Sequence, residues 1–222
     1  MQVMSPILQK LICVMRQMTH QDAIINLAEK DYGIKDAIKK YGMPKDRTTD
    51  GGFETLFRMI IGQQISVKAA NSVWNKLRNI DANNVNNLLN LSDLKLREAG
   101  LSRQKITYSR DLAQKIKNES LVLENLTKLS SEDAHKKLTQ VKGIGDWTAD
   151  IYQLFVLGDM DAFPQADLAI QEGARRYFKL EKRPSANNLV KLAEKWKPFR
   201  GAGALVMWQI YRVEVHEGST VN

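Results

Sequence analysis

Hydrophobic residues recur along most of the chain at steps of three and four, the spacing that places them on one face of an α-helix. The clearest stripe begins at Phe53, runs to Ile65 and continues through Val73 and Leu77, which predicts one long core helix or a closely joined pair. Sustained alternation of β-branched residues is scarce, so the sequence predicts a nearly all-α fold. Similar stripes lie at Val85–Leu91, Ile106–Ile116, Ala149–Leu157, Leu168–Phe178 and Leu189–Tyr211.

Two further segments have a clear structural pattern. Ser130 and Ser131 precede Glu132 and Asp133, an order that caps a helix start and places acids where the helix dipole favours them. Residues 1–18 combine apolar positions with a lysine and predict an amphipathic helix, not a signal peptide. No run approaches the roughly 20 uninterrupted apolar residues that a membrane helix requires.

The charge of the chain points to a class of partner. Its 222 residues carry a formal net charge of +8, and 43% of them are hydrophobic. A folded protein of this kind attracts polyanions, and release of condensed counterions would add salt-sensitive affinity for nucleic acid. Many basic proteins bind no nucleic acid, so charge alone leaves the partner open.

Cysteine and histidine usage argues against several kinds of metal site. Cys13 is the single cysteine, so neither an intrachain disulfide nor an iron–sulfur cluster or zinc ribbon held by cysteines of this chain can form. A reducing, intracellular compartment fits this usage. His20, His135 and His216 show no ligand spacing, which argues against a catalytic zinc ion.

The segment Leu138–Ala149 contains two glycines on either side of an apolar residue. Gly143 and Gly145 flank Ile144, so the chain can reverse between two helices while exposing backbone N–H groups at the start of the second helix. A phosphate oxygen can bind those donors, and such contacts hold a nucleic-acid backbone without reading its sequence. A plain helix-turn-helix joint without a ligand is the alternative.

One carboxylate follows this segment at the start of the next predicted helix. Asp167 comes after a proline-containing loop and precedes the stripe that begins at Leu168, so it should lie near a helix N-terminus. There the helix dipole favours an ionised carboxylate. Asp167 is therefore either a helix N-cap alone or a fixed anion that stabilises positive charge on a reacting group.

Four ordered blocks extend over most of the chain, from about Phe53 to Tyr211. They read Phe-Glu-Thr-Leu (53–56) with Ile-Gly-Gln-Gln-Ile-Ser (61–66); Gly-Leu-Ser-Arg-Gln-Lys (100–105); Val-Lys-Gly-Ile-Gly-Asp-Trp-Thr-Ala (141–149); and Asp-Ala-Phe-Pro through Asp (161–167) with Trp-Lys-Pro-Phe-Arg (196–200). Together they resemble the helix-hairpin-helix DNA glycosylase superfamily, and within it the DNA-3-methyladenine glycosylase II family. The resemblance implies two helical lobes with an active-site cleft between them, one formed by residues 53–163 and the other by residues 1–52 and 164–222.

The resemblance also implies an activity. It is hydrolysis of the N-glycosidic bond of alkylated bases, chiefly 3-methyladenine and also 7-methylguanine, in double-stranded DNA by a monomer. Asp167 matches the catalytic aspartate of the family. Members that also cut the strand carry a lysine at the position of Trp147, and indole cannot form a Schiff base. The resemblance therefore implies a monofunctional enzyme that uses water and leaves an abasic site.

Further roles follow from the same resemblance. The enzyme must extrude its target base, and Gln64 matches the position that wedges into the gap. An electron-poor alkylated base favours aromatic faces, and the pocket candidates are Trp147, Trp208, Tyr152 and Phe163. The candidate DNA contacts are Gln63, Gln64, Ser66, Arg103, Lys105, Lys142, Gly143, Ile144, Gly145 and Arg200. Backbone carbonyls of Thr139, Val141 and Ile144 are candidates for holding a structural Na⁺ or K⁺, and no other cofactor is expected.

Two other functions stay open from the sequence. A noncatalytic DNA-binding module would use the hairpin to hold duplex DNA, but it would need neither Asp167 nor the pocket tryptophans. A glycosylase for uracil, mismatched thymine or oxidised guanine would keep the chemistry and change the pocket. Selectivity of this kind rests on contacts that differ by about 1 or 2 kcal/mol, so sequence does not rank the substrates.

Overall fold

The computed structural model describes residues 18–217, and over this range the chain is helical with no β-strand. Apart from Met18, the segment predicted to form an N-terminal amphipathic helix lies outside the described residues. Within the described range, three short non-α helical turns accompany the α-helices, at Leu123–Lys128, Glu194–Trp196 and Arg212–Glu217. The α-helices are α1 (His20–Lys30), α2 (Tyr32–Tyr41), α3 (Phe53–Gly62), α4 (Val67–Asn79), α5 (Val85–Asn90), α6 (Asp93–Glu98), α7 (Arg103–Lys117), α8 (Ser131–Thr139), α9 (Asp146–Phe155), α10 (Leu168–Tyr177), α11 (Ala186–Ala193) and α12 (Arg200–Tyr211).

Local side chains determine where most of these helices begin. The N-cap oxygen accepts a backbone N–H of the first turn, a contact that stabilises a helix by about 1 kcal/mol. Thr19 and Asp22 form a reciprocal capping box at α1. Ser130 caps α8, as its sequence pattern predicts. The other side-chain N-caps are Asp31, Ser66, Asn84, Ser92, Ser102, Asp167 and Ser185.

The described residues form two compact units. The hairpin unit comprises residues 49–152, and the split unit comprises residues 18–48 together with 153–217. In the hairpin unit, α7 packs against α3, α5 and α6, and α3 also packs against α4. Its core is aliphatic and aromatic, and includes Leu56, Phe57, Ile60, Ile61, Trp74, Leu77, Leu88, Leu96, Ile106 and Leu112.

The split unit is organised around α12, which packs against α1, α2 and α10. Small residues at the start of α12 let its backbone approach other elements closely. A Cβ added at Gly201 would lie 2.7 Å from the carbonyl oxygen of Ala162, and one at Gly203 would lie 2.4 Å from the ring of Trp196. Ile24, Leu27, Ile34, Ile170, Leu189, Trp196, Met207 and Ile210 belong to the core of this unit.

Two details of the fold refine the sequence predictions. The stripe that begins at Phe53 forms a joined pair of helices, because the chain breaks at 63–66 and Gln64 adopts a left-handed φ of 59°. The boundary between the units lies within α9, after Tyr152, eleven residues before the expected one at Phe163. It lies there because Leu154 and Phe163 are part of the hydrophobic core of the split unit. In the described range, no helix has the length and apolarity needed to cross a membrane.

Candidate functional site

The hairpin between α8 and α9 is tight and partly buried. The N–H of Val141 donates to the carbonyl of Leu138 at 3.1 Å, and the N–H of Ile144 donates to the carbonyl of Val141 at 3.0 Å. The side chains of Val141 and Ile144 are buried, and this anchors the turn in the hairpin unit. The Lys142 N–H donates to Asp111 Oδ2 at 2.8 Å, while the Lys142 side chain is exposed.

The two glycines of the hairpin differ in how strictly the structure requires glycine at their positions. Gly143 has a φ of +83°, and a Cβ there would lie 2.1 Å from the ring of Tyr108, so conformation and space both require glycine. A Cβ added at Gly145 would have no neighbouring atom within 4 Å. Among the described residues, the N–H groups of Gly143 and Gly145 have no acceptor. The turn can therefore present backbone donors to an anion that approaches Gly145.

The turn between α3 and α4 is tied to this hairpin. Gln63 Nε2 donates to the carbonyl oxygen of Gly143 at 2.7 Å. The Lys105 ammonium donates to the carbonyls of Ile61 and Gln63 at 2.6 and 2.8 Å. Burial lowers the pKa of Lys105. Lys105 was expected to contact phosphate; instead its ammonium is engaged at the C-terminal end of α3, where the helix dipole favours a cation.

Gln64 stands exposed at the tip of this turn, where a wedge residue is expected. Ser66 is occupied as the N-cap of α4, accepting the Ala69 N–H at 3.2 Å. The sequence stripe placed Ile65 in the core, which is wrong: Ile65 is 40% exposed and Val67 is 78% exposed. Two exposed apolar side chains therefore follow Gln64, and the helical spacing did not reveal them because α3 ends at Gly62, before these residues.

Asp167 forms the N-cap of α10, and its geometry goes beyond capping. Its Oδ1 accepts the N–H groups of Ala169 and Ile170 at 2.9 and 3.0 Å. The same oxygen accepts the indole Nε1–H of Trp208 at 3.1 Å, a contact between α10 and α12. Three donors on one oxygen fix the orientation of the carboxylate, and the indole brings an aromatic ring to it. Asp167 is therefore an N-cap and, at the same time, a carboxylate held in a fixed orientation.

The ring of Trp208 forms part of a half-buried aromatic surface beside Asp167. Phe155, at the end of α9, packs against it with ring centroids 5.9 Å apart. The Arg47 guanidinium carbon lies 5.2 Å from the Trp208 centroid and 6.0 Å from that of Phe155. Sequence reasoning missed both Phe155 and Arg47. Phe155 lies within the predicted stripe Ala149–Leu157, which is the only signal it gave, and Arg47 lies in a loop without a distinguishing pattern.

The remaining pocket candidates occupy other environments. Tyr152 is buried, and its hydroxyl oxygen accepts the Gly52 N–H at 3.4 Å within the hairpin unit. Phe163 is buried in the core of the split unit. Both were expected to line a base pocket, and the structure makes them core residues because tertiary neighbours cover them. Trp147, on the first turn of α9, is 43% exposed and accessible to a ligand.

The other candidate phosphate contacts also divide into exposed side chains and side chains that bond within the protein. Arg103 is exposed at the start of α7. Arg200 was expected to contact phosphate, but it forms a bidentate pair with Asp161, with Nε–Oδ1 and Nη2–Oδ2 distances of 3.0 and 2.6 Å. This pair ties the start of α12 to the loop before α10. Of the predicted cations, Arg103 and Lys142 therefore keep exposed side chains.

The proposed monovalent-cation site lies in the hairpin. The carbonyl of Val141 accepts the Ile144 N–H, which leaves this oxygen one further lone pair for a cation. Thr139 is the last residue of α8, so its carbonyl belongs to the group that has no partner within an α-helix. Backbone oxygens of this kind fit a hard cation, and the site remains a prediction.

Comparison with known proteins places this geometry in a family. Residues 57–199 match the HhH-GPD superfamily of base excision DNA repair proteins. The chain belongs to the HhH-GPD superfamily. The matched range contains the α3–α4 turn, the hairpin and Asp167, whereas Arg47 and Trp208 lie outside it. The all-helical fold expected from the sequence is thereby confirmed.

Individual HhH-GPD proteins resemble the chain over most of its length. DNA-3-methyladenine glycosylase 1 of Schizosaccharomyces pombe is 32% identical over 162 residues, which are 71% of this chain and 71% of the relative. The structure of S. pombe 3-methyladenine DNA glycosylase in complex with abasic DNA matches with a TM-score of 0.74 at 30% identity, covering 86% of this chain and 96% of that one. DNA-3-methyladenine glycosidase of Bacillus halodurans matches with a TM-score of 0.81 at 25% identity, covering 90% and 94%.

Proposed function

We propose that this chain is a monofunctional DNA glycosylase that hydrolyses the N-glycosidic bond of alkylated bases, chiefly 3-methyladenine and also 7-methylguanine, and leaves an abasic site. The observation that carries the proposal is the Asp167 carboxylate, fixed by three donors and joined to the Trp208 indole. The relatives named as 3-methyladenine glycosylases support it. Double-stranded DNA is the substrate, and a monomer inside the cell is the expected acting form.

The chemistry follows from where charge develops. As the bond between C1′ of the sugar and the base nitrogen breaks, the electron pair leaves with the base and C1′ becomes positive. A fixed carboxylate stabilises that charge and accepts a proton from the water that attacks C1′. A cationic alkylated base leaves as a neutral molecule, so departure needs no proton donor. Asp167 is the residue that would supply the anion.

Base release also needs the DNA to be held and opened. The N–H groups of the hairpin would hold phosphate, and exposed Gln64 with Ile65 beside it would occupy the space left by an extruded base. The bonds from Gln63 to Gly143 and from Lys105 to the end of α3 link these two elements. The resemblance matches Trp147 to the position where members that also cut the strand carry a lysine, and an indole cannot form a Schiff base, which supports a reaction that uses water alone.

A noncatalytic DNA-binding module is the second candidate. It would use the same hairpin and the same exposed turn. It gives no reason for an indole to donate to the N-cap carboxylate of another helix, because the two backbone donors already complete the cap. The Asp167–Trp208 contact therefore favours the enzyme.

Asp167→Asn separates capping from catalysis. Asparagine caps helices about as well as aspartate, so the free energy of unfolding should change by less than about 0.5 kcal/mol. Loss of the charge about 4 Å from a developing cation should reduce base release on the order of 10³-fold. Bases released from methylated duplex DNA are measured by chromatography, and borohydride trapping tests for a covalent intermediate.

Asp31→Asn is the matched control, since Asp31 is also an aspartate N-cap in the split unit. Because Asp31 also pairs with the Lys195 ammonium at 2.8 Å, this variant should lose stability, but it should keep turnover. Turnover of Asp167→Asn within a factor of a few of wild type would remove Asp167 from the mechanism. Absence of base release by wild type would favour the binding module, and efficient borohydride trapping would contradict monofunctional chemistry.

A further inference from the structure

The aromatic surface beside Asp167 already carries a cation. The Arg47 guanidinium lies over the rings of Trp208 and Phe155, within the distance at which an aromatic face attracts positive charge. The orientation of the Trp208 ring is set by its hydrogen bond to Asp167. Arg47 therefore occupies one face of the ring whose edge contacts the candidate catalytic carboxylate.

The backbone on both sides of Arg47 is held in place. Asp46 Oδ1 accepts the N–H and the hydroxyl of Thr48 at 2.8 and 2.7 Å. The buried His20 ring contacts the same oxygen through Nδ1 at 2.6 Å and donates from Nε2 to the carbonyl of Leu154 at 3.2 Å. Hydrogen bonds from Thr48 and His20 outweigh partial burial and lower the pKa of Asp46 to about 2. The anchored segment aims an otherwise exposed arginine at the rings.

Charges around Trp208 are unbalanced in favour of cations. Desolvation of the guanidinium lowers the pKa of Arg47, the charge of Arg212 lowers it further, and the Asp167 carboxylate opposes both. Arg212 lies one turn beyond Trp208 and donates from Nη2 to Gln209 Oε1 at 3.1 Å. Two guanidinium groups therefore face one carboxylate in this part of the split unit.

We propose that Arg47 is a specificity-determining residue that lowers the preference of this site for cationic bases over neutral ones. The inference rests on the proposed glycosylase function, and it concerns the charge of the base that the site accepts. A base that carries a positive charge in DNA, such as 3-methyladenine or 7-methylguanine, has to displace Arg47 from the Trp208 face or be repelled by it. A neutral base stacks without that repulsion.

The charge of the departing base has a second effect, which also favours neutral bases over cationic ones. When a neutral base leaves, the electron pair of the C1′–N bond makes it an anion, which later takes a proton from water. The fixed positive charge of Arg47 stabilises this anion in the transition state. A cationic base leaves as a neutral molecule and gains nothing from Arg47. Arg47 thus opposes entry of the cationic base and assists departure of the neutral one.

Arg47→Gln tests this by removing the charge at similar length on an exposed segment. Two duplexes are compared, one with a single 7-methylguanine and one with a single hypoxanthine, which is neutral. The ratio of kcat/KM for 7-methylguanine to that for hypoxanthine should rise by at least about tenfold in Arg47→Gln. Arg47→Lys keeps the charge and should stay close to the wild-type ratio.

Arg58→Gln is the matched control, because Arg58 lies over Trp74 in the hairpin unit at a similar distance of 5.4 Å. It should leave the ratio unchanged. An unchanged or lower ratio in Arg47→Gln would overturn the inference about Arg47. Base release by wild type in the same assay would show that the glycosylase function still stands. If wild type also released no 3-methyladenine from methylated duplex DNA, the proposed function would fail. The Kd ratio of the two duplexes for wild type and Arg47→Gln would then decide the charge preference on its own.

Discussion

Gly173 is the position where one added methyl group should disturb both stability and the candidate active site. It lies in α10, whose N-cap is Asp167, and faces the backbone of Met207 in α12, next to Trp208. A Cβ at Gly173 would lie 2.1 Å from the Met207 carbonyl oxygen and 2.7 Å from its carbonyl carbon. A carbon and a carbonyl oxygen in contact are normally about 3.4 Å apart, so the two helices would have to separate by about 1 Å.

The magnitude for Gly173→Ala follows from this clash. Both obstructing atoms are backbone, so no side chain can rotate away, and the free energy of unfolding should fall by about 2–3 kcal/mol. Alanine's better helix propensity, worth about 1 kcal/mol, offsets only part of the strain. The same separation would displace Trp208 from Asp167, whose hydrogen bond is 3.1 Å long. Displacement of about 1 Å should lower base release on the order of 10²-fold.

Stability is measured by urea unfolding followed by circular dichroism, and turnover by base release at a temperature where the variant remains folded. Gly62→Ala is the stability control, because no atom lies within 4 Å of its added Cβ and it should be neutral or slightly stabilising. A Gly173→Ala protein as stable and as active as wild type would refute the claim that helix proximity holds Trp208 against Asp167.

Two further predictions concern the hairpin and pH. Gly143→Ala should lower stability and weaken binding to undamaged duplex, measured by fluorescence anisotropy, because it opposes a φ of +83° and meets the Tyr108 ring. Gly145→Ala should leave stability unchanged, since no atom lies within 4 Å of its added Cβ, and equal stability of the two variants would contradict this. Burial of Asp31 raises its pKa, but hydrogen bonds led by Lys195 outweigh burial and lower it to about 2. Since the folded pKa lies below the unfolded value of 3.8, about 2 kcal/mol of stability present above pH 4 should disappear as pH falls toward 2. Asp31→Asn should lack this loss in acid unfolding titrations, and a wild-type acid profile in that variant would contradict the assignment.

Much of the fold was accessible from local pattern. Helix positions follow from apolar spacing, and their starts follow from side chains such as Ser130 and Asp167 that bond to the next turn. These interactions span three or four residues, so the sequence contains them directly. The glycines at 143 and 145 likewise announce a hairpin, and the match over residues 57–199 confirms the family that the blocks resembled.

Roles that depend on distant neighbours were decided by the tertiary structure. Tyr152 and Phe163 were pocket candidates by resemblance, but residues far away in sequence cover them. Lys105 and Arg200 carry the charge expected of phosphate contacts, yet their partners are the end of α3 and Asp161. The sequence gives the charge of a side chain, whereas tertiary packing decides which group that charge pairs with.

The aspartate and its surroundings show the same division. The sequence by itself determined that Asp167 begins a helix, because a carboxylate after a proline loop and before an apolar stripe caps the first turn. Only the tertiary structure decided that Trp208, on another helix, donates to that carboxylate, and that Arg47 reaches over the indole. Capping needs only the four residues 167–170, but the contact with Trp208 needs α10 and α12 to pack closely at Gly173, a distance set by the whole core of the split unit.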